Sequence, residues 1–503
     1  MKVLTAKGGE FQVSDEMRNM LALLEDGRLI VAKTYAFNPH VRGFISRLKH
    51  LGFEHTIQHA DLSVVLSYYD GDGSQTEKHS DMQVAAKTLF QKAVALRASD
   101  IHIRVSKRLR TQVFFRVHND LEFVEEHPFD YGDKLCSTVY QAMADVSDST
   151  FEQMSRQDAR ISERSKIPVN LDGIRIATSP QVDGYIMVLR LLYNDTTEDL
   201  ELTRLGYDPT QVEAIEYMKK RPTGVIVIGG PTGSGKSTTL QRVLSAIIHE
   251  TQGRKHIITV EDPPEYPISG AVQTPVANAD TEEARSREFQ KAIKAAMRLD
   301  PDIIMLSEVR DNPTARLVIQ AAMTGHQVWT TVHANSALAI IDRMKDLGVQ
   351  PELLSDPTII AGLICQRLVK ELCPHCKKPL TDHTDRFDSR DLRRIMSVMP
   401  LEGVFIQGEG CEHCRGSGVA GRTVVAETII TDNQLMTFVK AGDRIAALEY
   451  VRREQSSMSM LDHAIQKIRA GLVDPFQAED IVGALNAVVI EREHRVTPTS
   501  MKT

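Results

Sequence analysis

Nine consecutive residues carry the sharpest chemistry in the chain: Gly230, Pro231, Thr232, Gly233, Ser234, Gly235, Lys236, Ser237 and Thr238 fit the pattern G-x4-G-K-[ST]. Glycines at this spacing let successive backbone N–H groups curl around a phosphate, and a helix starting at the lysine adds its partial positive charge. Lys236 would reach the β- and γ-phosphates of a nucleotide, and the Ser237 hydroxyl would ligate Mg2+. Such a loop needs an acidic partner on a neighbouring strand. Glu308 ends the apolar run Ile303–Leu306, 72 residues beyond Lys236, where a carboxylate can polarise an attacking water. Glu261 opens a second acidic cluster, Glu261-Asp262-Pro263-Pro264-Glu265, which would lie beside the metal. His326 and His333 bracket the run Val328–Val332; each is read as a site residue, or else as a hydrogen-bonded core or interface histidine.

Cysteine spacing supplies a second chemistry. Cys373 and Cys376 form one C-x-x-C pair and Cys411 and Cys414 another, 34 residues apart, whereas Cys136 and Cys365 stand alone. Two such knuckles can set four thiolates around one Zn2+ whatever the intervening loop does, with no open position, so the metal would be structural. A redox dithiol is the alternative. His375 and His413, inside the knuckles, are expected to be solvated.

These groups need a scaffold. Val225–Ile228 precedes the glycine-rich loop and a helical run, Thr239 to His249, follows it. The apolar runs at 225–228, 257–260, 303–306 and 328–332 alternate with helical stretches, which implies a parallel sheet covered on both faces. Upstream, 1–69 reads as a small mixed unit: a strand at 29–32, a helix from His40 to Leu51, and a strand from Leu62 to Leu66. Polar 70–81 reads as a linker. A second unit opens with a helix from Val84 to Leu96 and continues through strands at 101–103, 112–117 and 186–191. The region 432–490 reads as helical, and 491–503 as a frayed tail.

At roughly 150 residues per domain, 503 residues make about three domains. The formal charge of −7 and an aromatic content of 5%, with one tryptophan, argue against a nucleic-acid-coating surface or a base-stacking platform. No apolar stretch approaches the roughly 20 residues that span a bilayer, and the N-terminal residues lack the apolar core of a signal peptide. A cytoplasmic protein is expected.

The motifs, in their order, are similar to those of the secretion ATPase superfamily: the motors of type II secretion, type IV pilus assembly and retraction, and related conjugation systems. The family's Walker A resembles GPTGSGKST at 230–238, its acidic box TVEDPPEY at 259–266, its Walker B DPDIIMLSEVRD at 300–311, and its histidine box TGHQVWTTVHANSA at 324–337. Upstream, 98–103 resembles the family's ASDIHI and 157–161 its QDGRI. Downstream, Gln366-Arg367-Leu368-Val369 leads to the first cysteine pair, and the second leads to Gly421-Arg422-Thr423, as in the assembly branch. Ser307 stands where the family usually has glycine, and Arg104-Val105 where it usually has Glu-Pro.

The resemblance implies an α/β multidomain fold. Residues 1–69 would be a small N-terminal α+β docking domain, 82–204 an α+β middle domain, and 205–490 a RecA-like P-loop core with a zinc-binding element at 366–424 and C-terminal helices. It implies ATP and Mg2+ as cofactors beside Zn2+, with Glu308, Glu261, His326 and His333 at the site. Arg175 and Arg190 would be the middle-domain arginines that neutralise the γ-phosphate when the domains close, unless they only decorate strands. Lys294 and Arg298 would be the second basic pair. A homo-hexamer is implied, peripheral at the cytoplasmic face of the bacterial inner membrane. It would work on a platform protein and a membrane-bound docking protein, with no nucleic acid and no membrane insertion. The alternative is a nucleic-acid-translocating P-loop ATPase or a zinc-ribbon DNA-binding protein.

Overall fold

The computed structural model describes residues 3–6, 8–18, 20–32, 39–60, 64–65, 68–69, 81–147, 150–193, 200–276 and 281–486. The linker expected at 70–81 lies outside these except for Asp81, and the tail expected at 491–503 lies wholly outside. The chain divides into two compact units, Met1–Ala85 and Ala86–Thr503.

The first unit is built on a three-stranded sheet of β1 (Leu21–Leu23), β2 (Arg28–Ala32) and β3 (Thr56–Ala60), with β2 central, antiparallel to β1 and parallel to β3. The helix Pro39–His50 lays Val41, Phe44 and Leu48 on one face, against Leu21, Leu23, Leu29 and Val31. The strand expected at Leu62–Leu66 is corrected: Val64 and Val65 are helical, and the third strand is Thr56–Ala60. That strand is an edge with four of its five residues exposed, so it lacks the apolar alternation that marks a half-buried strand.

The helix Asp81–Ala95 runs across the boundary between the units, and in the second unit it is followed by an antiparallel sheet of seven strands: β4 (Asp100–Ser106), β5 (Thr111–Val117), β6 (Asp120–His127), β7 (Val146–Ser147), β8 (Gln157–Ile161), β9 (Leu171–Gln181) and β10 (Gly184–Tyr193). Their spatial order is β6-β5-β4-β10-β9-β8-β7. β5 alternates strictly between buried and half-buried residues, the pattern of a sheet with one covered face.

The other seven-stranded sheet holds the phosphate-loop motif. Its strands are β11 (Gly224–Gly229), β12 (Ile257–Glu261), β13 (Val272–Pro275), β14 (Ile303–Leu306), β15 (Gln327–Val332), β16 (Ile360–Leu372) and β19 (Val419–Ile430), in the order β13-β12-β14-β15-β11-β16-β19. All pairings are parallel except β16 with β19. β11, β12, β14 and β15 are buried at every residue because helices cover both faces, which is why they read as largely apolar runs. One face packs on the helices Glu282–Ala296, Asn312–Met323 and Ala339–Asp346; the other packs on Pro209–Lys219 and Lys236–Glu250.

β16 and β19 form a long antiparallel pair from which the cysteine-bearing insert projects, with its two-stranded ribbon β17 (Lys378–Pro379) and β18 (Phe405–Ile406). Leu380, Ile395, Met399 and Ile406 of the insert share a core with Ala464, Ile468 and Ala478 of the C-terminal helices Met460–Arg469 and Pro475–Val482. Among the described residues no helix is long and apolar enough to cross a membrane.

Trp329, the single tryptophan of the chain, is fully buried in β15, and its Nε1 donates to Gln327 Oε1 at 3.3 Å. Native tryptophan emission should therefore be blue-shifted and move red only as the parallel sheet unfolds in guanidinium. Trp329→Ala should destabilise that unit by about 3–5 kcal/mol, read from the denaturation curve by circular dichroism.

Candidate functional site

Parallel registration aligns the C-terminal ends of β11, β12, β14 and β15, and the loops leaving that edge bring the motifs together. Gly230 to Gly235 connect β11 to the helix Lys236–Glu250, whose N-cap is Gly235 at φ +83°. Gly230 sits at φ +151°, and a Cβ there would lie 2.5 Å from both the Gln366 carbonyl oxygen and Ser234 Oγ, so only glycine fits. Lys236 Nζ donates to the carbonyl oxygens of Gly230 (2.9 Å) and Pro231 (3.0 Å), inside the loop it closes. Burial lowers the Lys236 pKa from the ordinary lysine value, and the Glu308 carboxylate opposes that shift.

Glu308 leaves the end of β14 with its side chain 18% exposed. Its Oε1 lies 2.9 Å from His333 Nε2, and its Oε2 accepts from Arg310 Nε at 3.0 Å. His333, one residue past β15, places its Nδ1 3.2 Å from the Gly230 carbonyl oxygen. A continuous polar chain thus runs from Lys236 through the Gly230 carbonyl and His333 to Glu308 and Arg310.

Glu261, at the end of β12, is buried, and its Oε1 accepts from Thr259 Oγ1 (2.6 Å) and Gln273 Nε2 (2.9 Å). The two donors fix the carboxylate's orientation, as outer donors do for metal-binding carboxylates. Ser237, half-buried, is the second residue of the helix Lys236–Glu250. An orientated carboxylate and a helix-terminal hydroxyl suit a hard, oxygen-seeking Mg2+.

Arg175 and Arg190 pair directly across β9 and β10, and Arg160 on β8 pairs with Arg175, so three arginines line up on one face of the antiparallel sheet. Arg175 Nη2 donates to the Pro263 carbonyl oxygen at 3.1 Å, which ties this sheet to the acidic cluster after β12. Burial depresses the Arg175 pKa, and Glu265 partly restores it. Arg190 instead pairs with Asp100 on β4, at 3.1 Å.

Not every expected residue joins this cluster. His326 precedes β15, at the opposite end of the strand from His333, about 20 Å away at strand rise. Its Nδ1 lies 3.0 Å from the Ala321 carbonyl oxygen and 3.1 Å from Thr324 Oγ1. Lys294 and Arg298 are exposed at and just past the C-terminal end of the helix Glu282–Ala296, before the start of β14. Conversely, sequence reasoning did not single out Arg310, Arg160, Thr259 or Gln273. Arg310 could have been found two residues beyond Glu308; the others become meaningful only once strand register is known.

The four cysteines of the two C-x-x-C pairs converge, all sulfurs lying within 4.8 Å of one another. Cys373–Cys411 is 3.8 Å, and Cys376–Cys414 and Cys411–Cys414 are each 3.7 Å. A tetrahedral ion with metal–sulfur bonds of about 2.3 Å requires sulfur separations of about 3.8 Å. A disulfide would need about 2.05 Å. Burial opposes ionisation of Cys414, but the N–H groups of Cys411 and Gly418 both point at its sulfur at 3.1 Å, and its thiol falls to about 6. His375 and His413 are exposed, with ring centroids 4.2 Å apart.

A parallel sheet whose C-terminal edge combines a lysine-bearing phosphate loop with an acidic strand end defines a P-loop nucleotide-binding protein. The chain belongs to the Type II/IV secretion system protein family, whose model matches residues 75–486. It is 34% identical over 387 residues to the putative type II secretion system protein E of Escherichia coli (strain K12), covering 76% of this chain and 73% of that protein. It is 31% identical over 469 residues to the type IV pilus assembly ATPase PilB of Thermus thermophilus, covering 90% of this chain and 50% of that one. The crystal structure of the pilus retraction motor PilT with bound ADP shares the fold, with a TM-score of 0.52 and 23% identity over 82% of this chain and 99% of that one.

The sulfur geometry predicts that metal-free protein titrated with Co2+ will develop the intense visible bands of tetrahedral thiolate coordination at one ion per chain. Cys414→Ser should remove them. Absence of those bands in the parent protein would contradict a four-thiolate site.

Proposed function

We propose that this chain is the ATP-hydrolysing motor of a type IV pilus or type II secretion machine. The observation that carries the chemistry is the meeting of Lys236, His333 and Glu308 at one sheet edge. Relatives named as type II secretion protein E and as a pilus assembly ATPase support the setting.

In the proposed reaction, the backbone N–H groups of 233–237 and Lys236 hold the β- and γ-phosphates. Ser237 and Glu261 would hold Mg2+, which would supply charge that neutralises the phosphate oxygens. Glu308 takes the proton from a water aligned with the γ-phosphorus; the water oxygen bonds to phosphorus, the bond to the bridging oxygen breaks, and ADP and phosphate result. His333, which touches both the loop carbonyl and Glu308, holds that carboxylate in position. Arg175 and Arg190 reach the γ-phosphate when the sheet that bears them closes on the core, so turnover depends on relative motion. In this reading 82–204 is the moving domain, 205–490 the catalytic core, and 1–69 the docking domain for a membrane-bound partner.

Active chains would form a homo-hexamer acting on an inner-membrane platform protein, held at the membrane by protein contacts. His326, Lys294 and Arg298, remote from this chain's own phosphate loop, would act at contacts between chains. The ion in the tetracysteine cluster would be Zn2+ in a structural role, consistent with the sulfur geometry.

Lys236→Ala should abolish nucleotide binding, because Lys236 contacts phosphates in the ground state. Glu308→Gln should keep binding and lose about 10²- to 10⁴-fold in turnover. Calorimetry of ATP binding beside a phosphate-release assay checks both; hydrolysis by Glu308→Gln at the parent rate would reassign the base.

A further inference from the structure

Gln366 is fully buried in β16, yet its side chain makes contacts to three separate parts of the chain. Its Nε2 donates to the Ser234 carbonyl oxygen in the phosphate loop at 2.7 Å. Its Oε1 accepts from Thr239 Oγ1, in the first turn of the following helix, at 3.0 Å, and from the hydroxyl of Tyr207, which lies just before the helix Pro209–Lys219. The amide orientation is unambiguous, since a carbonyl can only accept and Nε2 must therefore face Ser234. The Gln366 backbone carbonyl oxygen lies 2.5 Å from where a Gly230 Cβ would fall, and its Nε2 3.2 Å from where a Gly235 Cβ would fall, so this one residue bounds the loop at both its first and its last glycine.

Across a trans peptide bond the C=O and the next N–H point in opposite directions. Holding the Ser234 carbonyl toward β16 therefore turns the Gly235 N–H the other way, into the phosphate cradle. A loop of this kind works only when its carbonyls are drawn outward, and an outward carbonyl buried against a strand needs a donor. We propose that Gln366 is a positioning residue for nucleotide binding: it sets the direction of the Gly235 N–H by anchoring the Ser234 carbonyl, and Tyr207 and Thr239 lock its amide in that orientation. The inference rests on the nucleotide-binding reading given above.

Two near-isosteric variants of the full-length protein test it, with ADP and a non-hydrolysable ATP analogue as the calorimetric probes. Gln366→Met removes the donor and should raise Kd about ten- to a hundredfold for both probes at every pH. Gln366→Glu presents an oxygen to the Ser234 carbonyl when ionised, and a donor when protonated. Burial disfavours the ionised form, so acid restores the donor in an accessible range. Its Kd relative to parent should be at least tenfold high at about pH 8.5 and should fall toward one at about pH 6, whereas the ratio for Gln366→Met stays flat.

Thermal melting without nucleotide separates positioning from folding: an unchanged Kd beside a lowered melting temperature overturns the proposal. Parent-like Kd in both variants, or a Gln366→Glu deficit that does not shrink on acidification, overturns it as well. If Gln366→Glu does not fold, Gln366→Met alone decides by its Kd. Failure of the parent protein to bind either probe would count against the nucleotide-binding reading itself, and so is distinct from parent binding with indifferent variants.

Discussion

The parallel registration of β11 between β15 and β16 is the constraint on which the site depends. Gly229 stands opposite Val332 on one side and Cys365 on the other. The next residue along each strand is therefore Gly230, His333 or Gln366, and the three are forced into one row at the sheet's edge. That row explains the His333 contact to the Gly230 carbonyl and the glycine-only gap beneath Gln366. β14 extends the same alignment: Leu306 pairs with Thr330, and Thr331 Oγ1 donates to the Ser307 carbonyl at 2.6 Å, which brings Glu308 level with Val332, one residue short of His333 and within reach of its ring. A slip of one residue would turn each of these side chains to the opposite face.

The same strand that carries Gln366 reaches further. Six residues on, β16 ends at Leu372 and the chain enters the tetracysteine cluster at Cys373. On the way, Lys370 pairs with Asp120, and on β19 Arg422 Nη1 donates to Asn119 Oδ1 at 2.9 Å, so the β5–β6 turn of the antiparallel sheet rests on the β16–β19 pair. With the Arg175 contact to Pro263, this gives two polar anchor points between the arginine-bearing sheet and the parallel sheet. Both are hydrogen-bonded or ionic, and neither is an apolar interlock. Polar contacts of this kind break and re-form at little cost beside the repacking of an apolar interface, as motion between the two sheets would require.

Much of this was legible in the residues. The phosphate loop, Glu308 and the four thiolates announce themselves because their chemistry demands particular types at fixed spacing. The four central strands do so because burial on both faces favours apolar residues, with polar ones such as Glu261 and Gln327 kept at the strand ends. What was not legible follows from the same physics. β3 is exposed along most of its length and lacks an apolar signature. The alignment of Arg160, Arg175 and Arg190 depends on strand pairing across 30 residues, which spacing alone does not encode. His326 and His333 look equivalent in a motif, yet they flank one strand, and a strand separates its two ends by its full length.

The central claim is that nucleotide phosphate takes up the loop's inward N–H groups and draws Lys236 away from the loop's own carbonyls. A crystal structure with a non-hydrolysable ATP analogue and Mg2+ tests it directly. The account predicts phosphate oxygens within hydrogen-bond distance of the N–H groups of 233–237, and Lys236 Nζ on the β- and γ-phosphates. Nucleotide bound elsewhere, or Lys236 still on Gly230 and Pro231 beside a bound analogue, would contradict it.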